Sequence, residues 1–156
     1  MTEDLTELVA HHPVFLGLPD AMAALVAGCA HNEVFALGEH LLLEGDNADT
    51  FYLLRRGRIA LSVHSPSQGP LIIETLEPGA AVGWSWLFPP YRWHFDATAL
   101  DAVGVIAVDA RCLRTKADAD SEFGYALLQR VSQMMLDRLQ ATQLRLLDLY
   151  GDVRTS

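Results

Sequence analysis

The sequence predicts a mainly β protein with flanking helices: an antiparallel barrel or jelly roll, closed by one long C-terminal helix. Three observations carry that expectation. Short apolar stretches from Val34 to Val108 alternate with glycine-bearing turns at intervals of roughly eight to twelve residues, the spacing of all-β folds. Helix formers punctuated by Pro13, Pro19 and Gly28 precede them. After Ser121 the chain holds no proline and repeats its apolar residues at three- and four-residue steps.

The first thirty residues are expected to form two short helices. His12-Pro13 opens a loop, Leu18-Pro19-Asp20 offers an apolar staple and a carboxylate cap, and Ala21 to Gly28 supplies helix formers ending in glycine. Strands follow over Val34–Leu37, Leu41–Leu43, Phe51–Leu54 and Ile59–Val63, then from Ala97 through Val108, where Asp109 ends the strand. Arg55, Arg56 and Arg58 flank Gly57 as a solvated hairpin tip. These boundaries give N-terminal helices over 1–33, a β region over 34–110 and C-terminal helices over 118–150, with Gly151 as the final stop.

The last helix has two apolar stripes. Leu128, Val131, Met135, Leu139, Thr142, Leu146 and Leu149 form a seam suited to a second helix, while Leu127, Met134, Leu144 and Leu147 would face the barrel. A helix apolar on two sides has two neighbours, and the expectation here is self-pairing into a parallel homodimer. The alternative is that both stripes pack within one protomer.

Composition narrows the class. The 156 residues are 51% hydrophobic and 20% charged, which excludes a disordered chain. Twenty acidic against 11 basic residues leave a net charge of −9, so a nonspecific grip on nucleic acid is disfavoured. No apolar run reaches the roughly 20 residues of a bilayer span, and Glu3, Asp4 and Glu7 stand where a signal peptide carries basic residues. A cytoplasmic protein without membrane or direct DNA contact is expected. Cys29 and Cys112 lie in no metal-binding spacing and read as buried structural thiols, and the scattered histidines read as surface or capping residues. No metal or cofactor is expected, and no enzyme activity: Gly83-Trp84-Ser85-Trp86-Leu87 lacks the second glycine of a nucleophile elbow.

The glycines and the apolar residues between them carry a resemblance. Phe35-x-x-Gly38-x-x-Leu41-x-x-Glu44-Gly45-Asp46-x-x-Asp49-x-Phe51-Tyr52-x-Leu54-x-x-Gly57-x-Ile59-x-Leu61 resembles the first half of a cyclic-nucleotide-binding domain, as found in catabolite activator protein and FNR-type sensors. His12-Pro13-Val14-Phe15-x-x-Leu18, Leu76-x-Pro78-Gly79-x-x-Val82-Gly83 and 121–150 resemble that family's opening helices, the turn into its ligand cassette, and its hinge and dimerisation helix. The resemblance implies one domain over 1–156, a double-stranded β-helix of eight strands with the cassette at 83–96.

In that family a glutamate directly after the cassette glycine holds the ribose, and an arginine ten residues after the glycine pairs with the phosphate. Counting without gaps from Gly83 places Trp84 and Trp93 at those two positions, with Arg92 one residue early. All three tryptophans, with Phe88, Tyr91 and Phe95, fall between positions 84 and 95. The candidate ligand-binding residues are Gly83, Trp84, Ser85, Trp86 and Leu87, then Tyr91, Arg92, Trp93 and His94. Three readings compete: the aromatics fill a former nucleotide pocket, they line a pocket for a flatter or more apolar ligand, or they form an exposed patch for a partner protein. What the resemblance then implies is a stand-alone regulatory or sensor domain with a degenerate cassette, acting through a different small-molecule effector or a separate output protein. The alternatives are a genuine cAMP- or cGMP-binding regulator and a pure interaction module.

Overall fold

The computed structural model describes the backbone of residues 4–155 and the side chains of residues 4–150. Helix α1 (Leu5–His11) starts at Asp4, whose carboxylate accepts the Thr6 amide at 3.2 Å. Helix α2 (Asp20–Ala27) starts differently from expectation: Pro19 occupies the cap without a side-chain bond, and Asp20 is the first helical residue. Proline fits there because its fixed φ suits a helix entrance.

Eight strands follow: β1 (Ala30–Phe35), β2 (His40–Leu42), β3 (Thr50–Arg56), β4 (Ile59–Ser65), β5 (Gly69–Leu76), β6 (Ala81–Val82), β7 (Asp96–Ala99) and β8 (Val103–Asp109). They form two four-stranded antiparallel sheets, ordered β1-β8-β3-β6 and β2-β7-β4-β5. The architecture is the jelly roll that the turn spacing predicts.

Three boundaries move. β1 begins at Ala30, not Val34, because residues 30–35 pair along their whole length with β8. Backbone pairing at a sheet edge needs no apolar pattern, so His31, Asn32 and Glu33 gave no strand signal. β3 and β4 belong to different sheets, so Gly57 lies in a crossing between sheets instead of a hairpin tip. Gly57 has φ of +83°, and a Cβ there would lie 2.4 Å from the Ala102 carbonyl oxygen, so the crossing tolerates no larger residue. The apolar run expected from Ala97 to Val108 is two strands, since Arg58 binds Asp101 in the turn between them, its amide donating at 2.8 Å.

Strands β3 and β8 are buried almost throughout, with the barrel interior on one side and helices on the other. Leu53, Leu54, Ile59, Leu61 and Ile106 lie at the centre of this core. His12, expected as a surface or capping residue, is the C-cap of α1 and is buried, 5% exposed. Its Nδ1 accepts the Val14 amide at 3.3 Å, which leaves the proton on Nε2 to be donated to the Leu54 carbonyl at 3.0 Å. Burial holds its pKa below the usual histidine value, with the nearby Arg55 charge acting in the same direction and the Leu54 bond opposing them.

Helix α3 (Ala110–Ala119) was not foreseen before residue 118. It buries only Ala110 and Leu113, too little for an apolar period, but Asp109 caps it by accepting the Cys112 amide at 3.1 Å. This start lies beside the entrance of β1, where the Asp109 amide donates to the Cys29 carbonyl at 2.8 Å. The two cysteines are therefore a disulfide, not free buried thiols: Cys29 and Cys112 are 83 positions apart in sequence, with Cα atoms 5.7 Å apart.

Helix α4 (Ser121–Thr155) runs through Gly151, which does not end it. Its barrel-facing stripe is Phe123, Leu127 and Val131, all buried, continued by the half-buried Met134 and Arg138. Val131, expected in the pairing seam, thus belongs to the protomer's own core. Leu144 and Leu147, expected against the barrel, are exposed because the helix has by then passed the barrel's edge. Leu128, Leu139, Leu146 and Leu149 stay exposed, and Met135 is half-buried.

Candidate functional site

The cassette leaves β6 at Gly83 (φ +78°), enters a single 3-10 turn at Ser85–Leu87, and returns to β7 through Pro89, Pro90 and Tyr91. The peptide between the two prolines is cis, and Tyr91 has φ of +56°. This path turns two indoles inward. Trp86 is 1% exposed and stacks on Phe51 of β3, with ring centroids 4.1 Å apart and planes 8° from parallel. Such a pair contributes about 0.5–1.5 kcal/mol beyond its buried area. Trp93 is 3% exposed and lies under the cassette glycine, where a Cβ on Gly83 would come within 2.5 Å of its Cζ3 and 3.0 Å of Phe95 Cζ. Only glycine allows this approach of ring to backbone.

Trp93 is held there by its own backbone. Its amide donates to the Asp46 carbonyl at 3.0 Å, and its carbonyl accepts the Gly45 amide at 2.9 Å. Arg92, one residue before, points away from the cassette glycine: it is exposed, and Nη1 donates to the Gly45 carbonyl at 2.9 Å. Adjacent residues of an extended segment face opposite sides, so the buried Trp93 and the outward Arg92 follow from one another. His94 is also exposed, Ser85 is buried, and Leu87 and Tyr91 are half-buried.

Two arginines that sequence reasoning did not single out close the cassette from the helices. Arg114 of α3 donates to the Trp86 carbonyl and lays its guanidinium over the Tyr91 ring, 4.1 Å from the centroid. Arg138 of α4 lies over the half-buried Trp84 at 4.9 Å and donates to Glu74 of β5. Guanidinium on an indole face is a favourable charge–quadrupole contact. A signal for Arg138 existed: Leu127, Val131, Met134 and Arg138 recur at helical steps, and a cation within an apolar stripe needs a partner.

Of the predicted ligand residues, the structure brings Gly83 and Trp93 together, with Phe95 beside them outside that set, and seats Trp86 on Phe51. It leaves Arg92 and His94 on the outer side. Among the described residues, no three histidine, cysteine or carboxylate side chains cluster as metal ligands, and no helix is long and apolar enough to cross a membrane.

A two-sheet jelly roll, a short cassette helix and a long C-terminal helix define the cyclic-nucleotide-binding architecture, and comparison with known proteins agrees. The sequence model of the cyclic nucleotide-binding domain matches residues 32–120. The chain belongs to the cyclic nucleotide-binding domain family. A solved structure from Geobacter metallireducens, described as a cyclic nucleotide-binding protein, is 26% identical with a TM-score of 0.78, covering 89% of this chain and 99% of that one. The N-terminal domain of a transcriptional regulator from Streptomyces coelicolor is 25% identical with a TM-score of 0.68, covering 86% of this chain and 94% of that one. Cyclic nucleotide-gated ion channel 2 of Arabidopsis thaliana is 32% identical over 77 residues, 49% of this chain; the match spans only 10% of the channel's length.

Proposed function

We propose that this domain is a regulatory module whose nucleotide cassette is closed by its own side chains, so that it does not take cAMP or cGMP in the family's usual manner. The observation that carries this reading is Trp93 packed under Gly83, with Arg92 tied outside to the Gly45 carbonyl. A buried phosphate needs charge-assisted donors. Counted without gaps from Gly83, an indole stands where the family places an arginine. Burial of Trp86 and Trp93 favours this reading over an exposed aromatic patch.

The module acts by a different effector or a protein partner, and not as an enzyme. Two copies pair through the exposed leucines of α4, so that a change in the protomer reaches its partner along that helix.

Isothermal calorimetry with cAMP and cGMP tests it. No saturable heat is expected from micromolar to low-millimolar nucleotide; saturable micromolar binding defeats the reading.

A further inference from the structure

The disulfide fastens a lightly packed helix. Helix α3 buries only Ala110 and Leu113, so packing does little to hold it. The Cys29–Cys112 bond ties its first turn to the residue before β1. The other ties at that end are polar: the Asp109 cap, the Ala110 amide on the Asp49 carbonyl at 2.9 Å, and an Arg111–Asp49 ion pair at 3.2 Å. Both side chains of that pair are well exposed, and such pairs contribute little in water. The same helix reaches the cassette. Two residues beyond Cys112, Arg114 donates to the Trp86 carbonyl and covers the Tyr91 ring. A covalent bond that can be opened therefore fixes one end of the element whose middle holds the cassette.

The surroundings of the bond suit thiol exchange. Both cysteines line an open hollow of about 450 Å³, with Asp49, Asp109 and Arg111 around them. Cys112 is half-buried and Cys29 only 7% exposed, so Cys112 is the one presented to a reagent. Cys29 is the better placed to leave as a thiolate. Lys116, one turn after Cys112, donates Nζ to the Leu25 carbonyl at 2.9 Å. A Cβ on Gly28 would lie 2.7 Å from that Nζ, which puts the ammonium beside the residue preceding Cys29. A neighbouring cation favours the thiolate. The two carboxylates of the hollow are already engaged, Asp49 by Arg111 and Asp109 by the Cys112 amide.

We propose that Cys29–Cys112 is a redox-modification site, opened by a protein dithiol of the thioredoxin class, and that its state sets how firmly α3 holds the cassette. A thiolate of the reductant attacks Sγ of Cys112, the S–S bond breaks, and its electron pair leaves on Sγ of Cys29. The reductant's second thiolate then attacks the reductant's own sulfur in the mixed disulfide and releases Cys112. Two electrons and two protons pass to the cysteine pair, and the dithiol ends as a disulfide. Opening frees the first turn of α3 from β1 and loosens the Arg114 bond at Trp86. The inference goes beyond the closed-cassette reading and does not depend on it.

The test uses the oxidised whole protein at room temperature without denaturant. Thioredoxin is expected to reduce the bond at a rate proportional to its concentration. Thioredoxin lacking its second cysteine is expected to be trapped on Cys112, as located by peptide mass spectrometry. Lys116→Met is expected to slow reduction roughly threefold, through the poorer leaving thiolate. The readout at the cassette is the Trp86 indole N–H shift, assigned through Trp86→Phe. Reduction should move that signal in a chain whose melting shows it still folded. In Arg114→Gln, which lacks the guanidinium link, reduction should leave the signal in place. Failure to reduce, a rate independent of thioredoxin concentration, or trapping on Cys29 overturns the proposal. So does a Trp86 signal unmoved by reduction, an equal move in Arg114→Gln, or a reduced chain that no longer folds, since the bond is then a staple alone. An unchanged rate in Lys116→Met overturns the part given to that cation. Saturable cAMP binding would defeat the closed cassette and leave this result standing.

Discussion

The Cβ that Gly83 lacks would lie 2.5 Å from Cζ3 of Trp93, so the cassette's first residue and its buried indole are fitted to one another atom by atom. A methyl group there collides with a ring that cannot retreat, since two backbone hydrogen bonds fix the chain at Trp93. The positive φ adds its own strain. Gly83→Ala is expected to lower unfolding free energy by about 2–4 kcal/mol, measured as a fall in the urea midpoint.

Trp93→Ala removes the ring and keeps the glycine. A loss of about 3–5 kcal/mol is expected from the cavity. Calorimetry on the folded variant should still show no cAMP binding, because opening the space supplies no cation for a phosphate. Restored micromolar binding would mean that the ring alone keeps nucleotide out.

The disulfide closes a long loop, with the cysteines 83 positions apart. On the chain-entropy account, removing such a cross-link costs about 4.5 kcal/mol. The Cys29→Ser, Cys112→Ser double variant should therefore melt at lower temperature than the oxidised protein and be insensitive to dithiothreitol. The wild-type protein should lose stability when reductant is added. Identical melting of all three samples would show the link to be thermodynamically idle.

His12 gives the fold a pH dependence of defined sign. Its folded pKa lies below the unfolded value of 6.5, so the unfolded chain binds the proton more readily. The contribution of neutral His12 is complete above about pH 6.5 and is lost as pH falls through the lowered folded value. His12→Gln can keep a donor to the Leu54 carbonyl but cannot titrate. Urea denaturation at several pH values between neutrality and pH 5 should show a shallower fall in stability for the variant; parallel profiles would remove His12 as the cause.

The proposed pairing through α4 makes a directional prediction. Leu139 and Leu146 lie on the exposed seam, and Leu144 lies on a different side of the same helix. Leu139→Asp or Leu146→Asp should shift the sedimentation coefficient to that of a monomer, whereas Leu144→Asp should not. A monomer in the unmodified protein would leave the seam for another partner.

The barrel was legible because Gly38, Gly45, Gly57 and Gly79 mark reversals that only a permissive backbone makes, and the apolar stretches between them are of strand length. What escaped was structure fixed by neighbours. β1 took its place from pairing with β8, and α3 from the Asp109 cap with two buried side chains. In the cassette, the tryptophans were visible in the sequence, but the inward direction of Trp93 depended on Gly45 and Asp46, far away in the chain. Arg114 and Arg138 were missed for a related reason: a surface-type residue reveals a buried role only once the ring it covers has a position.

Beyond Arg138, every side chain of residues 139–150 is exposed. At about 1.5 Å per residue, this stretch of α4 stands roughly 18 Å clear of the barrel. In the proposed pairing it would work as a mast: a partner on its leucines would be held at a distance from the cassette and feel the domain through the angle of a rod, where a small tilt at the base becomes a large sweep at the tip.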